Sequence, residues 1–81
     1  MYSIVSLIEA LQRAIGTVEG NMRSLLEERE EARAALESCS VPEDLDALRL
    51  SLERAEDRLA IQQGSRADLV SRLEETRSRA Q

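Results

Sequence analysis

Carboxylates and one thiol are the side chains with which this sequence could do chemistry. It carries 16 Asp and Glu residues, a single cysteine (Cys39) and no His, and all 11 of its basic residues are Arg. Paired carboxylates act as general acid and base only inside a concave, water-poor pocket. Without His, the usual His/Cys metal-ligand spacings are missing. Without Lys there is no amine for a Schiff base. No phosphate-binding glycine loop, dinucleotide fingerprint or nucleophile elbow occurs in the chain. Cys39 has the acidic Glu37 and Glu43 as close sequence neighbours, surroundings that do not favour a thiolate, and a small structural side chain is its expected role. The expectation is a protein that is not an enzyme and holds no metal or cofactor.

The elements that must position these residues are legible from periodicity. Ile4, Ile8, Leu11, Ile15, Val18, Met22, Leu25, Arg29, Ala32 and Leu36 follow one another at alternating spacings of four and three, with Arg29 as the one polar member. That is a heptad seam, the signature of a helix that packs lengthwise on another. A second seam follows in Leu45, Leu48, Leu52, Ala55, Leu59, Gln62, Arg66, Leu69 and Leu73. Between the seams lies Ser38-Cys39-Ser40-Val41-Pro42-Glu43. Here Ser40 is the expected cap of the second helix, Glu43 completes a capping box, and Pro42 sits in the first turn where its missing N–H costs nothing. The predicted fold is all-α: an antiparallel two-helix coiled-coil hairpin forming a single domain over 1–81.

Glycines divide that hairpin. Gly16 and Gly20 lie inside the first helical pattern and Gly64 inside the second, and each costs about 1 kcal/mol relative to Ala in a helix interior. Helix breaks are therefore expected near Gly16–Gly20 and Gly64, with Ser65 to Asp68 able to start a fresh helix. They separate a stem, about 21–63, from arms at 1–20 and 64–81. Arg29 is expected to lay its stem on Leu52 and hold its head in water near Glu53 or Glu56. The acidic stretch Glu27 to Glu31 reads as a solvated face with local helical ion pairs.

Composition narrows the partners. A net charge of −5 with Tyr2 as the single aromatic residue argues against nucleic acid, which needs a cationic surface and stacking platforms. It also argues against anionic lipid surfaces. No apolar run approaches the roughly 18 residues that span a bilayer. Met1 to Ile15 has no basic segment and does not read as a signal peptide, and one cysteine forms no internal disulfide. A cytoplasmic protein is the expectation.

Two helices leave apolar residues over. Ile4, Val5, Leu7, Ile8, Leu11 and Ile15 cover a first-arm face wider than one facing helix can bury, while the second arm offers little beyond Leu69, Val70 and Leu73. Ala47, Leu50, Arg54 and Ile61 form a sparser stripe away from the seam, and Leu26 is also left outside it. Contiguous exposed apolar surface marks an interaction site. Leu26, Leu50, Ile61, Ile4, Leu7, Ile8 and Leu11 are the candidate partner-binding residues.

Three segments carry a resemblance: Leu25-Leu26 through Arg33-Ala34-Ala35-Leu36-Glu37, then Cys39-Ser40-Val41-Pro42-Glu43-Asp44-Leu45, then Leu52-Glu53-Arg54-Ala55-Glu56-Asp57-Arg58-Leu59-Ala60-Ile61. Over Met22 to Gln63 the chain resembles the E-type (YscE-like and SsaE-like) co-chaperones of the type III secretion needle subunit. It departs from them in lacking aromatics in the second helix and in its longer arm after Gly64. The resemblance implies a cytoplasmic co-chaperone that pairs with a tetratricopeptide-like chaperone and keeps the needle subunit from polymerising early. Two other readings stay open: a self-associating structural coiled coil, in which two hairpins close into a four-helix bundle as a homodimer or higher oligomer, and a small phage-encoded or regulatory inhibitor or adaptor.

Overall fold

The computed structural model describes residues 3–80. Two α-helices make up the hairpin: α1, Ile4–Ser38, and α2, Pro42–Ala80. They run antiparallel on either side of a tight connection, Cys39 to Val41. The molecule measures 59 × 19 × 14 Å. A 39-residue helix at about 1.5 Å per residue is itself about 58 Å long, so the shape is that of two rods side by side.

Each helix end has its own stop signal. At the start of α1 the Ser3 hydroxyl accepts a hydrogen bond from the Ser6 N–H at 3.1 Å, which satisfies one of the orphan donors of the first turn. At its end the Cys39 N–H donates to the Leu36 carbonyl at 3.4 Å, and the Cys39 thiol donates to the Val41 carbonyl at 3.3 Å. The second helix departs from expectation. It begins at Pro42, so the cap position falls on Val41, and the Asp44 N–H reaches the Val41 carbonyl at 3.1 Å. Ser40 is not the cap, and the capping box with Glu43 does not form. Proline at the first helical position has its φ preset for the helix and biases the preceding residue to extended backbone, which moves the boundary one residue past Ser40. Glu43 and Asp44 in the first turn, and Arg77 and Arg79 in the last, complement the helix dipole.

The helix breaks expected near Gly16–Gly20 and at Gly64 do not occur. Both helices pass through these residues without interruption, and no described residue has a positive φ. Nor do the glycines serve close approach, since a Cβ at Gly16, Gly20 or Gly64 would meet nothing within 4 Å. All three lie on outward faces, and the seam runs past them. A propensity cost of about 1 kcal/mol each is outweighed by the packing of Ile15, Val18 and Met22 on one helix and Leu69 and Leu73 on the other. Gly64→Ala is accordingly expected to raise the unfolding free energy by about 0.5–1 kcal/mol. Chemical denaturation followed by circular dichroism would check it, and a destabilised variant would mean that the backbone there is not helical.

The core is thin. Leu11, Ala32, Ala55, Leu59 and Leu73 are its buried members, and no described side chain is fully buried. Ile8, Ile15, Val18, Met22, Leu25, Arg29 and Leu36 on α1, and Leu45, Leu48, Leu52, Gln62 and Leu69 on α2, are half-buried. The seam predicted from spacing is thus the seam observed, with two exceptions. Ile4 is exposed at the open end. Arg66 is also exposed, because its long side chain carries the guanidinium out to Glu19, Nε to carboxylate 3.9 Å.

Candidate interaction surfaces

The described residues form two rods packed side by side. Their concavities are shallow surface depressions. One lies beside the seam between Ala32 and Ala35 on α1 and Leu48 and Ser51 on α2, with Glu28 and Glu31 on its rim. A second is bounded by Glu19, Met22, Arg23, Leu26 and Arg66. No group of three or more potential metal ligands occurs among the described residues. No described helix is long and apolar enough to cross a membrane.

What the surface does offer is contact. Seven large apolar residues are exposed among the described residues: Ile4, Val5, Leu7, Leu26, Val41, Leu50 and Ile61. Ile4, Val5 and Leu7 form the first turn of α1 and cluster at the open end of the hairpin. Leu50 lies on the outer side of α2, and Ile61 lies at the edge of that side, in the same row as Arg54. They are separated by three helical turns, about 16 Å, with Arg54, Asp57 and Arg58 between them. Leu26 lies elsewhere, on the flank of α1 that faces Glu19 and Arg66. The seven candidate residues named from sequence therefore do not make one continuous surface. Two of them are spoken for within the chain: Leu11 is buried in the seam and Ile8 is half-buried beside it. Their spacing of three and four from the other seam residues places them there, and the wide apolar face of the first arm narrows to Ile4, Val5 and Leu7. Val41, absent from the sequence-based set, is exposed because the residue before Pro42 stands clear of both helices.

The charged residues arrange themselves asymmetrically about the seam. Arg33 bridges the helices to Glu56 at 3.8 Å and also meets Glu30 at 3.5 Å on its own helix. Glu19 and Arg66 make the other interhelical pair at 3.9 Å. Both leave α1 from one row, Glu19, Leu26 and Arg33, whose members are seven residues apart. It is Arg33, not Arg29, that reaches the acidic side chains of α2. Arg29 turns to Glu30 at 3.9 Å, and its Nε is buried without a partner. A guanidinium at a seam position keeps its stem among the apolar side chains and takes the nearest exit to water, which here lies along its own helix. These pairs are exposed and long, and each contributes at most a few tenths of a kcal/mol, by order of magnitude.

On the opposite flank the row on α1 is Leu7, Ala14, Asn21, Glu28 and Ala35, each one residue before a seam position. No interhelical ion pair closes this side among the described residues. Sequence reasoning passed over this flank. The signal was present, because the positions preceding the seam residues carry no charge between Leu7 and Asn21.

Comparison with known proteins finds no family model, no characterised protein and no solved structure that matches this chain.

Proposed function

We propose that this protein is a helical binding module that works by docking apolar side chains on a helical partner protein. The observation that carries this reading is the balance of its apolar residues: among the described residues seven large ones are exposed, against three buried, Leu11, Leu59 and Leu73. Single exposed apolar residues are ordinary on any surface. An 81-residue chain that leaves more large apolar residues outside than it buries has surface for a partner to cover.

The resemblance over Met22 to Gln63 extends the proposal to a cytoplasmic co-chaperone. In that role the hairpin docks on a tetratricopeptide-like chaperone, and the pair holds a type III secretion needle subunit as a soluble monomer. The exposed Leu50 and Ile61 on α2 and Ile4 and Leu7 at the open end are the contacts assigned to it. Such a chaperone is itself built of helix pairs, whose concave surface accepts a helical ligand.

The test is to co-express the three proteins and purify through a tag on this chain. The expected result is a complex with one copy of each, and a needle subunit that stays monomeric by sedimentation when it polymerises on its own. A needle subunit that polymerises at the same rate with and without this chain would remove the co-chaperone role.

A further inference from the structure

We infer that the groove beside Ala32, Ala35, Leu48 and Ser51 is the docking site for a second copy of this chain. The two hairpins would be related by a two-fold axis parallel to their length, giving an antiparallel four-helix bundle with both turns at the same end. This goes beyond the partner reading and does not depend on it.

Area is the first argument. A compact chain of 9.1 kDa exposes about 4,900 Å², whereas this one exposes 6146 Å², an excess of about 1,250 Å². A standard stable interface removes about 800 Å² from each partner. The hairpin thus carries more uncovered surface than a dimer needs to be stable, and its seam, with no side chain fully buried, runs along the floor of this groove. Packing a second pair of helices over an open two-helix seam gives its residues the four-sided surroundings of a bundle core.

Charge decides the flank and the direction. The opposite side of the seam is bridged by Arg33–Glu56 and Glu19–Arg66. On the groove side α1 presents Glu28 and Glu31, and α2 presents Arg54 and Arg58, all four exposed. None of these four makes an ion pair within the chain, among the described residues. A two-fold axis along the hairpin lays α1 of one copy against α2 of the other at equal distances from the turn. In the register that the Glu19–Arg66 pair marks, Glu31 then stands at the height of Arg54, and Glu28 at that of Asp57 and Arg58. The acidic stretch of each copy meets the basic stretch of the other, and the match occurs twice. In the same register the exposed Ile61 comes to the height of Asn21 and Ser24, which are small and uncharged on the groove side of α1.

The experiment is light scattering and analytical sedimentation on the full chain across a concentration series, with charge-reversal variants. The expected mass is twice 9.1 kDa. Glu28→Arg with Glu31→Arg should raise the dimer dissociation constant by about 100-fold or more, because each copy then sets like charges together. Adding Arg54→Glu and Arg58→Glu should bring it back to within about 10-fold. Helicity by circular dichroism identifies a variant that fails to fold, and the fourfold variant supplies the rescue in that case. A chain that stays monomeric overturns the inference, as does a dimer indifferent to the reversals. Leu50→Glu separates the two proposals: Leu50 lies on the outer side of α2, so it should leave the dimer intact and weaken docking on a chaperone.

Discussion

Leu59→Ala is expected to lower the unfolding free energy by about 2–3 kcal/mol and to move the urea midpoint down by about 2 M. Leu59 and Ala55, at 4% exposed, are the least exposed residues of the seam. Truncating a buried leucine forfeits its transfer free energy and leaves a space that its neighbours fill only in part. The lower end of the known range applies, because a thin seam in which no side chain is fully buried lets half-buried neighbours relax into the gap. For so small a domain that is a large share of a total stability on the order of 4–12 kcal/mol. Leu50→Ala is the control: Leu50 is 46% exposed, and the same truncation there should cost no more than about 0.5 kcal/mol. Both are to be measured at one protein concentration, since self-association adds to apparent stability. Equal losses in the two variants would mean that Leu59 is no more a core residue than Leu50 is.

That contrast rests on a pattern readable before any coordinates. The run Ile8, Leu11, Ile15, Val18, Met22, Leu25, Arg29, Ala32, Leu36 alternates steps of four and three, and a helix has one face on which such residues align. Every one of them is buried or half-buried. The second seam behaves the same way except at Arg66. Two long seams of similar length with one Pro-containing break between them leave an antiparallel hairpin as the direct way to pair them. Heptad spacing therefore carried the fold.

Where the reading departed from the structure, a local preference was weighed without the tertiary term opposing it. Gly16, Gly20 and Gly64 each disfavour helix, yet none interrupts one, because the packing of seam residues on either side of a glycine exceeds its cost. Ser40 is a good cap by residue type, but proline's fixed φ at position 42 set the boundary at Val41. Arg29 and Arg33 show the same limit for side chains. Spacing placed Arg29 at the seam, but which of the two guanidiniums reaches Glu56 depends on rotamers and flank geometry that a one-dimensional pattern does not contain. The surfaces were the least legible part. A residue outside the seam is exposed in a hairpin whether or not anything binds it, so spacing could set Leu26, Leu50 and Ile61 outside the seam but not say what covers them. Spacing already set Leu50 and Ile61 on a stripe away from the seam; only the fold puts Leu26 on the flank that carries the interhelical ion pairs.

Leu50→Glu combined with Ile61→Glu gives the largest functional effect expected. Both residues are exposed, Ile61 at 65%, so charging them leaves intrachain packing alone and helicity by circular dichroism should match the parent. Binding is a different matter. An apolar anchor that fills a pocket on a partner is worth about 2 kcal/mol or more when lost, and two together, about 4 kcal/mol, weaken the complex by about 1,000-fold. Placing a carboxylate against an apolar pocket adds the cost of desolvating it, and the co-expressed complex should no longer survive purification. Two readouts on one sample separate the explanations. Lost binding with full helicity assigns the residues to the partner face. Lost binding with lost helicity would mean that they support the hairpin itself, and the outer side of α2 would cease to be a docking surface. Ile61 also faces the proposed second copy, so the double variant should weaken self-association where Leu50→Glu alone does not. Leu50→Glu alone, which leaves self-association intact, is therefore the variant that tells the two surfaces apart.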